Sequence, residues 1–239
     1  MSIMFECDLH IHSIRSTCGF HTLLEVVEIM RSKGMKAFAL TDHSPVHGTT
    51  HAHFSVMLRR LPSVINEVRV FKGIEATILT PEGDLDLPFF EDAKYEVIIA
   101  GLHDFAPYTL VWDKAINTKA VINAMKKYPE LKVIAHPFFK KFPIDLDAVT
   151  DVACETNTSL EINNSYLLTG KADTEALIRL LEIAKTKGTK LCVNSDGHTF
   201  NEMGEFDLAL NYLKPHGIEN FTVVNRTLES TCEFLGLEE

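Results

Sequence analysis

No CxxC pair occurs among the five cysteines, Cys7, Cys18, Cys154, Cys192 and Cys232, and their number is odd. Both facts argue against a disulfide framework and a zinc ribbon, and most of these thiols are expected as small core residues. No run approaches the roughly 18 to 20 uninterrupted apolar residues of a membrane span, and the opening MSIMFECDLH lacks a basic-then-apolar leader. A cytoplasmic protein without a membrane partner is expected. Positive charge is also in short supply: 23 Lys and Arg stand against 33 Asp and Glu, a formal net charge of −10. Such a surface repels a nucleic-acid backbone at long range, so small substrates fit better than nucleic acid. No Pro/Gly/Ser linker, charge block or internal repeat marks a boundary. Residues 1–239 are therefore read as a single domain, of a size that α/β barrels commonly reach.

Short apolar runs alternate with helix-length amphipathic segments along the whole chain, the pattern of βα units around a parallel sheet. Strands are expected at Phe5–His10, Ala37–Thr41, Val70–Ala76, Val97–Leu102, Lys132–Ala135, Leu160–Ile162 and Leu191–Asn194, which makes seven. Phe221–Val224 is either an eighth or a cap outside the barrel, followed by a helix near Leu228–Leu235. Thr22 with Glu25 forms a capping box that opens one helix, which should stop near Gly34; a second runs from about Asp173 to Lys187-Gly188. A third is expected at Thr118–Tyr128, closed by Pro129.

The unusual residues fall at strand ends. His10 and His12 close the first strand, Asp42-His43 the second, Glu75 the third, His103 the fourth, His136 the fifth, and Asp196 with His198 the seventh. In a barrel of parallel strands those ends share one face. Imidazoles and carboxylates gathered there resist desolvation unless cations sit among them, so divalent metals are expected. In an extended segment the H-x-H of His10 and His12 turns both rings to one side, where neutral imidazole suits zinc, manganese or iron. His47, His51 and His53 follow the second strand and either cover the mouth or lie in solvent. Arg15, Lys140 and Lys141 follow strand ends on the same face and are candidate phosphate contacts. Asp104 is a candidate proton donor to a leaving group.

The segments D-L-H-I-H-S (Asp8–Ser13), T-D-H (Thr41–His43), G-I-E-A (Gly73–Ala76), A-G-L-H (Ala100–His103), A-H-P (Ala135–Pro137) and S-D-G-H (Ser195–His198) resemble, in order and spacing, the PHP, or polymerase and histidinol phosphatase, family. L-E-I-N-N-S (Leu160–Ser165) and M-G-E-F (Met203–Phe206) point to its small stand-alone bacterial phosphatase branch. The resemblance implies a distorted TIM-like (β/α)7 barrel with two or three divalent ions, zinc first and manganese or iron as alternatives. It implies His10, His12, Glu75 and Asp196 on one ion, and Glu75, His103 and His136 on a second, with Glu75 bridging. A third ion would take His43, His198 and a loop histidine, but that position here is Cys18, with His21 nearby as a substitute. The implied activity is hydrolysis of small phosphate monoesters by a metal-activated hydroxide, with Glu75, Asp196 and Arg15 as the catalytic residues. Three other readings stand beside it: a nuclease, a non-catalytic metal-binding regulatory module, and an amidohydrolase-like barrel. The last lacks a lysine placed on a middle strand to form a bridging carbamate.

Overall fold

The computed structural model describes residues 5–47, 56–88, 90–104 and 113–238. Its strands are β1 (Cys7–Ile11), β2 (Ala37–Leu40), β3 (Val64–Ile65), β4 (Val68–Thr77), β5 (Val97–Gly101), β6 (Leu131–Ile134), β7 (Ser159–Asn163) and β8 (Leu191–Asn194). The described helices are α1 (Leu23–Ser32), α2 (Phe90–Ala93), α3 (Lys114–Lys127), α4 (Leu146–Thr156), α5 (Asn164–Leu168), α6 (Thr174–Lys187), α7 (Asp207–Leu213) and α8 (Leu228–Leu235). Seven strands pair in the order β1-β2-β4-β5-β6-β7-β8, each pair parallel, and β3 adds a short antiparallel hairpin to β4. The architecture is a nearly closed, distorted TIM-like barrel, as the strand count predicts.

Closure differs at the two ends. At the carboxyl end Ile11 bridges Gly197, with His12 N–H donating to the Gly197 carbonyl at 3.0 Å. At the amino end β8 instead meets the stretch expected as an eighth strand: Leu191 bridges Val223, and no further ladder forms there. The fully buried Asn225 fills the remaining gap. Its amide donates to the Cys7 and Val193 carbonyls at 3.0 and 2.6 Å, and its oxygen accepts from Val193 N–H at 3.0 Å. A side chain thus supplies the hydrogen bonds that a full strand would have given.

Inside the lower barrel Cys7, Leu9, Ala39, Phe71, Ile99 and Cys192 form an apolar cluster that Phe234 and Leu235 of α8 close from below. None of the five cysteines forms a disulfide; Cys7, Cys192 and Cys232 are buried in this cluster, whereas Cys154 is exposed. Glu25 accepts from the Thr22 N–H at 2.7 Å, as its spacing predicts. Helix α3 starts at Lys114, earlier than the expected Thr118, with Asp113 accepting from Ile116 N–H at 2.8 Å. Asn117 and Thr118 have turn-forming side chains, but both are buried here: Asn117 donates to the Pro143 carbonyl and Thr118 to that of Lys114. No described helix is long and apolar enough to cross a membrane.

Candidate metal centre

Strand alternation alone would not bring His10 and His12 into the barrel. On β1, Cys7 and Leu9 point into the lower core, so in a regular strand His10 would face outward. The register breaks between Asp8 and Ile11: three residues of β1 advance while β2 advances from Phe38 to Leu40. This bulge reverses the parity, so that Ile11 joins the outer core and His10 and His12 turn inward. Two further ligand candidates sit in left-handed backbone, His136 at φ +36° and Asp196 at φ +52°. Non-glycine residues there carry a strain of about 1–3 kcal/mol each, which persists where surrounding bonds over-determine the conformation. The His136 ring also needs Gly101, since a Cβ there would lie 2.5 Å from His136 Cε1.

Glu75, 1% exposed, is the centre of the arrangement. Its Oε1 faces His103 Nε2 at 2.9 Å and His136 Nε2 at 3.2 Å. Its Oε2 faces His10 Nε2 and His12 Nε2, each at 3.4 Å, and His43 Nδ1 at 2.7 Å. Asp196 Oδ1 stands 3.4 Å from His10 Nε2 and 3.1 Å from His12 Nε2.

The far sides of these rings are held by other groups, which fixes the nitrogen each ring offers. His10 Nδ1–H donates to Glu161 Oε1 at 2.7 Å. The Ser16 hydroxyl donates its single proton to Asp42 Oδ1 at 2.7 Å, so at its 3.0 Å contact with His12 it accepts from Nδ1–H. His198 Nδ1–H donates to the Asp196 carbonyl at 2.8 Å, and His103 Nδ1 meets Thr77 Oγ1 at 3.0 Å. His10 and His12 therefore present bare Nε2 lone pairs to the Glu75–Asp196 side.

His10 Nε2, His12 Nε2 and Glu75 Oε2 are buried and make no hydrogen bond, a rare and costly condition for polar atoms. Charges press on the same point. Burial opposes protonation of His10, yet Asp196, Glu161 and Glu75 outweigh it and hold that imidazole well above its usual range. The carboxylates thus draw positive charge to Nε2, carried by a proton in metal-free protein and replaced by the ion when a cation binds. For His12, burial and the neighbouring His198 and His43 push the other way, well below the usual value. Glu75, despite burial, is held well below the carboxylate range by His43, His10 and His103, and Asp196 is lowered by His10 and His12. The donor set thus fits divalent cations: imidazole nitrogens with lone pairs turned inward and two ionised carboxylates in a dry pocket. Three overlapping groups have the reach to hold an ion: His10, His12 and Glu75; His43, Glu75 and His103; and His12, Cys18, His43 and His198.

Above the histidines lies a cavity of about 280 Å3 whose lining includes Cys18, His47, Asp104, Phe139, Tyr166 and Lys171. Tyr166 stacks on His136 with centroids 4.3 Å apart, and Lys171 Nζ lies 5.2 Å from the Tyr166 ring. Burial, with Asp196 and Glu75 nearby, pushes the Tyr166 phenol well above its ordinary value. His47 stacks on His43 at 3.7 Å, and burial together with His43 and His103 brings it down to about 3. Burial and the charges of Glu75 and Asp196 push the Cys18 thiol up to about 12.

Arg15 does not line this cavity; it lines an apolar one with Leu23, Leu40 and Leu58. Lys140 donates to the Gly170 carbonyl at 2.9 Å, and Lys141 pairs with Asp104 at the rim. His21 Nε2 accepts from Phe200 N–H at 3.1 Å, which occupies the nitrogen that would have replaced Cys18. His51 and His53 lie outside the described residues. Sequence reasoning overlooked Lys171 and the supporting carboxylates Glu161 and Asp8. Glu161 had a signal: a carboxylate between Leu160 and Ile162 inside a buried strand requires partners.

The PHP domain model matches residues 8–214. A protein from Caldanaerobacter subterraneus subsp. tengcongensis named "Probable phosphatase" is 34% identical, over 98% of this chain and 92% of its own length. One of the same name from Shewanella piezotolerans is 35% identical, over 97% and 93%. A histidinol phosphate phosphatase from Lactococcus lactis, complexed with zinc, L-histidinol and phosphate, shares the fold at a TM-score of 0.61 and 16% identity, covering 90% of this chain and 94% of that one. A chain of archaeal ribonuclease P with mature tRNA does so at 0.57 and 12%, covering 95% and 90%. Strand order, bulged H-x-H strand and inward histidines agree with the match over most of the sequence: the chain belongs to the PHP-domain family.

Proposed function

We propose that the protein is a metal-dependent phosphatase acting on small phosphate monoesters. The observation that carries this reading is Glu75, whose two buried oxygens face separate sets of imidazoles, His103 and His136 on one side and His10, His12 and His43 on the other. One ion is assigned to His10, His12, Glu75 and Asp196, a second to Glu75, His103 and His136. Bound divalent ions supply Lewis-acid chemistry at such a site, acidifying a water and offsetting charge on phosphoryl oxygens. Zinc is the first candidate, with manganese or iron as alternatives; the phosphatase names of the relatives and the zinc and phosphate held by the Lactococcus enzyme support the assignment.

The chain's own residues do the rest. Glu161 and Ser16 keep His10 and His12 in the tautomers that leave Nε2 bare. Lys171 offers a positive charge to a phosphoryl group entering the cavity, and Tyr166 keeps its phenolic proton as a donor to an ester oxygen. Phe139 and Tyr166 wall the site against water. A volume of about 280 Å3 suits a small ester, and a net charge of −10 disfavours a nucleic-acid chain.

The test is metal content by elemental analysis alongside p-nitrophenyl phosphate turnover before and after chelation, with mononucleotides and single-stranded DNA as rival substrates. Turnover that disappears with chelator and returns with zinc is expected. Metal-independent turnover, or DNA cleavage exceeding monoester hydrolysis, would overturn the reading.

A further inference from the structure

The outermost of the three donor groups differs in kind from the other two. It contains no carboxylate: Cys18 Sγ lies with nitrogens of His12, His43 and His198, all within 4.8 Å of one another. The thiol is not there by drift of a loose loop. Thr17 takes a left-handed turn at φ +54°, and Gly19 packs so closely on the end of β1 that a Cβ would lie 2.3 Å from the Ser13 carbonyl oxygen. Cys18 N–H donates to the Ser16 carbonyl at 2.7 Å, and Phe20 N–H to that of His198 at 3.1 Å. The loop is therefore held on one side by Gly19 packed against Ser13, next to His12, and on the other by the Phe20 bond to the turn carrying His198. His12, the fourth member of the group, gives its Nε2 to the first ion, which leaves Cys18, His43 and His198 as the donors of a separate site.

We infer that Cys18, His43 and His198 form a third, thiolate-bearing metal site that selects zinc or cobalt over manganese and magnesium. The inference deepens the two-ion reading above. A thiolate with imidazoles is a soft tetrahedral donor set, whereas sites built on Glu75 and Asp196 accept harder ions as well. Binding forms an S–metal bond and releases the thiol proton to solvent. His198 keeps Nε2 for this role because its Nδ1–H is spent on the Asp196 carbonyl.

The experiment reconstitutes metal-free protein with cobalt, reading stoichiometry by elemental analysis and thiolate-to-cobalt charge transfer in the near ultraviolet. Wild type should bind three equivalents and show the band. Cys18→Ser should lose the band and one equivalent; Cys18→His should lose the band and keep three. Circular dichroism on both variants separates ligand loss from misfolding, and a fold retained by either is enough for the test. With manganese in place of cobalt, wild type should stop at two. Two cobalt ions without a band would overturn the third site, and three without a band, or a band that survives in Cys18→His, would overturn its thiolate ligation by Cys18; each leaves the two-ion reading standing. Binding of no cobalt at all would overturn both.

Discussion

The two ends of this barrel are built from the same strands and obey opposite rules. At the floor Cys7, Leu9, Phe71 and Ile99 form an apolar cluster that α8 seals. At the mouth the alternation is interrupted by the β1 bulge, His136 and Asp196 hold left-handed backbone, and His10 Nε2, His12 Nε2 and Glu75 Oε2 are buried without a hydrogen bond. On β4 the contrast sits within one strand, where Phe71 and Glu75 project to the same interior four residues apart. The floor stabilises the fold so that the mouth can carry strain and uncompensated charge; function is concentrated where the local rules are broken.

Exchanging that contrast on β4 gives the largest expected effects. Glu75→Gln should remove the shared carboxylate and reduce metal-dependent monoester hydrolysis by about a thousandfold or more, several kcal/mol of transition-state stabilisation, with a native circular dichroism spectrum. Phe71→Ala should do the reverse: a loss of about 3–5 kcal/mol in stability by denaturant titration, with metal content per folded molecule unchanged. If folded Phe71→Ala protein bound no metal, floor and mouth would be a single cooperative unit and the distinction would fail.

The floor was legible in the sequence because short continuous apolar runs carry it, and the seven expected strands follow from them. The candidate ligands were legible for a different reason: His10, Glu75, His103, His136 and Asp196 each fall at or near the carboxyl end of a strand, and in a parallel barrel those ends share one face. What escaped notice is what periodicity cannot encode. The bulge that turns His10 inward and the positive φ of His136 and Asp196 depend on neighbours distant in sequence, such as Glu161 and Asn163. Arg15 shows the same limit from the other side, since nothing in its spacing from His12 says which of two cavities its side chain lines.

Asp8 lies at the boundary between the two regimes and allows a smaller, pH-resolved test. It is fully buried, accepts from His10, Ser195 and Gly204 N–H at 3.1–3.3 Å, and burial pushes it up to about 6. A carboxyl raised in the folded state stabilises the fold when protonated; that contribution is complete below about pH 4 and lost as pH rises through about 6. In metal-free protein, the stability of Asp8→Asn relative to wild type should therefore increase by about 3 kcal/mol from pH 4 to 7, from a shift of roughly two pKa units. Denaturant midpoints across that range measure it. A difference independent of pH would mean that the three N–H groups offset burial fully and that Asp8 belongs with the well-compensated floor.

Glu161 carries the smallest of these effects, and the one that separates holding a metal from holding its ligands. Its oxygens accept from His10 Nδ1, His136 N–H, Asn163 Nδ2 and Asn194 Nδ2 at 2.7–2.9 Å, and all four partners are donors. Glu161→Gln keeps the shape but sets an amide NH2 against donors on one side. If it turns toward His10, the ring proton moves from Nδ1 to Nε2 and blocks the lone pair that faces Glu75 and Asp196. If it turns toward His136, the strained backbone at φ +36° loses its anchor. Either way zinc affinity, read by competition with a chromogenic chelator, should fall about 10- to 100-fold while the fold persists. Unchanged affinity would show that Glu75 and Asp196 orient His10 without help. The mouth would then be set by its ligands alone, and the order in its supporting layer would be a consequence of the site and not a cause.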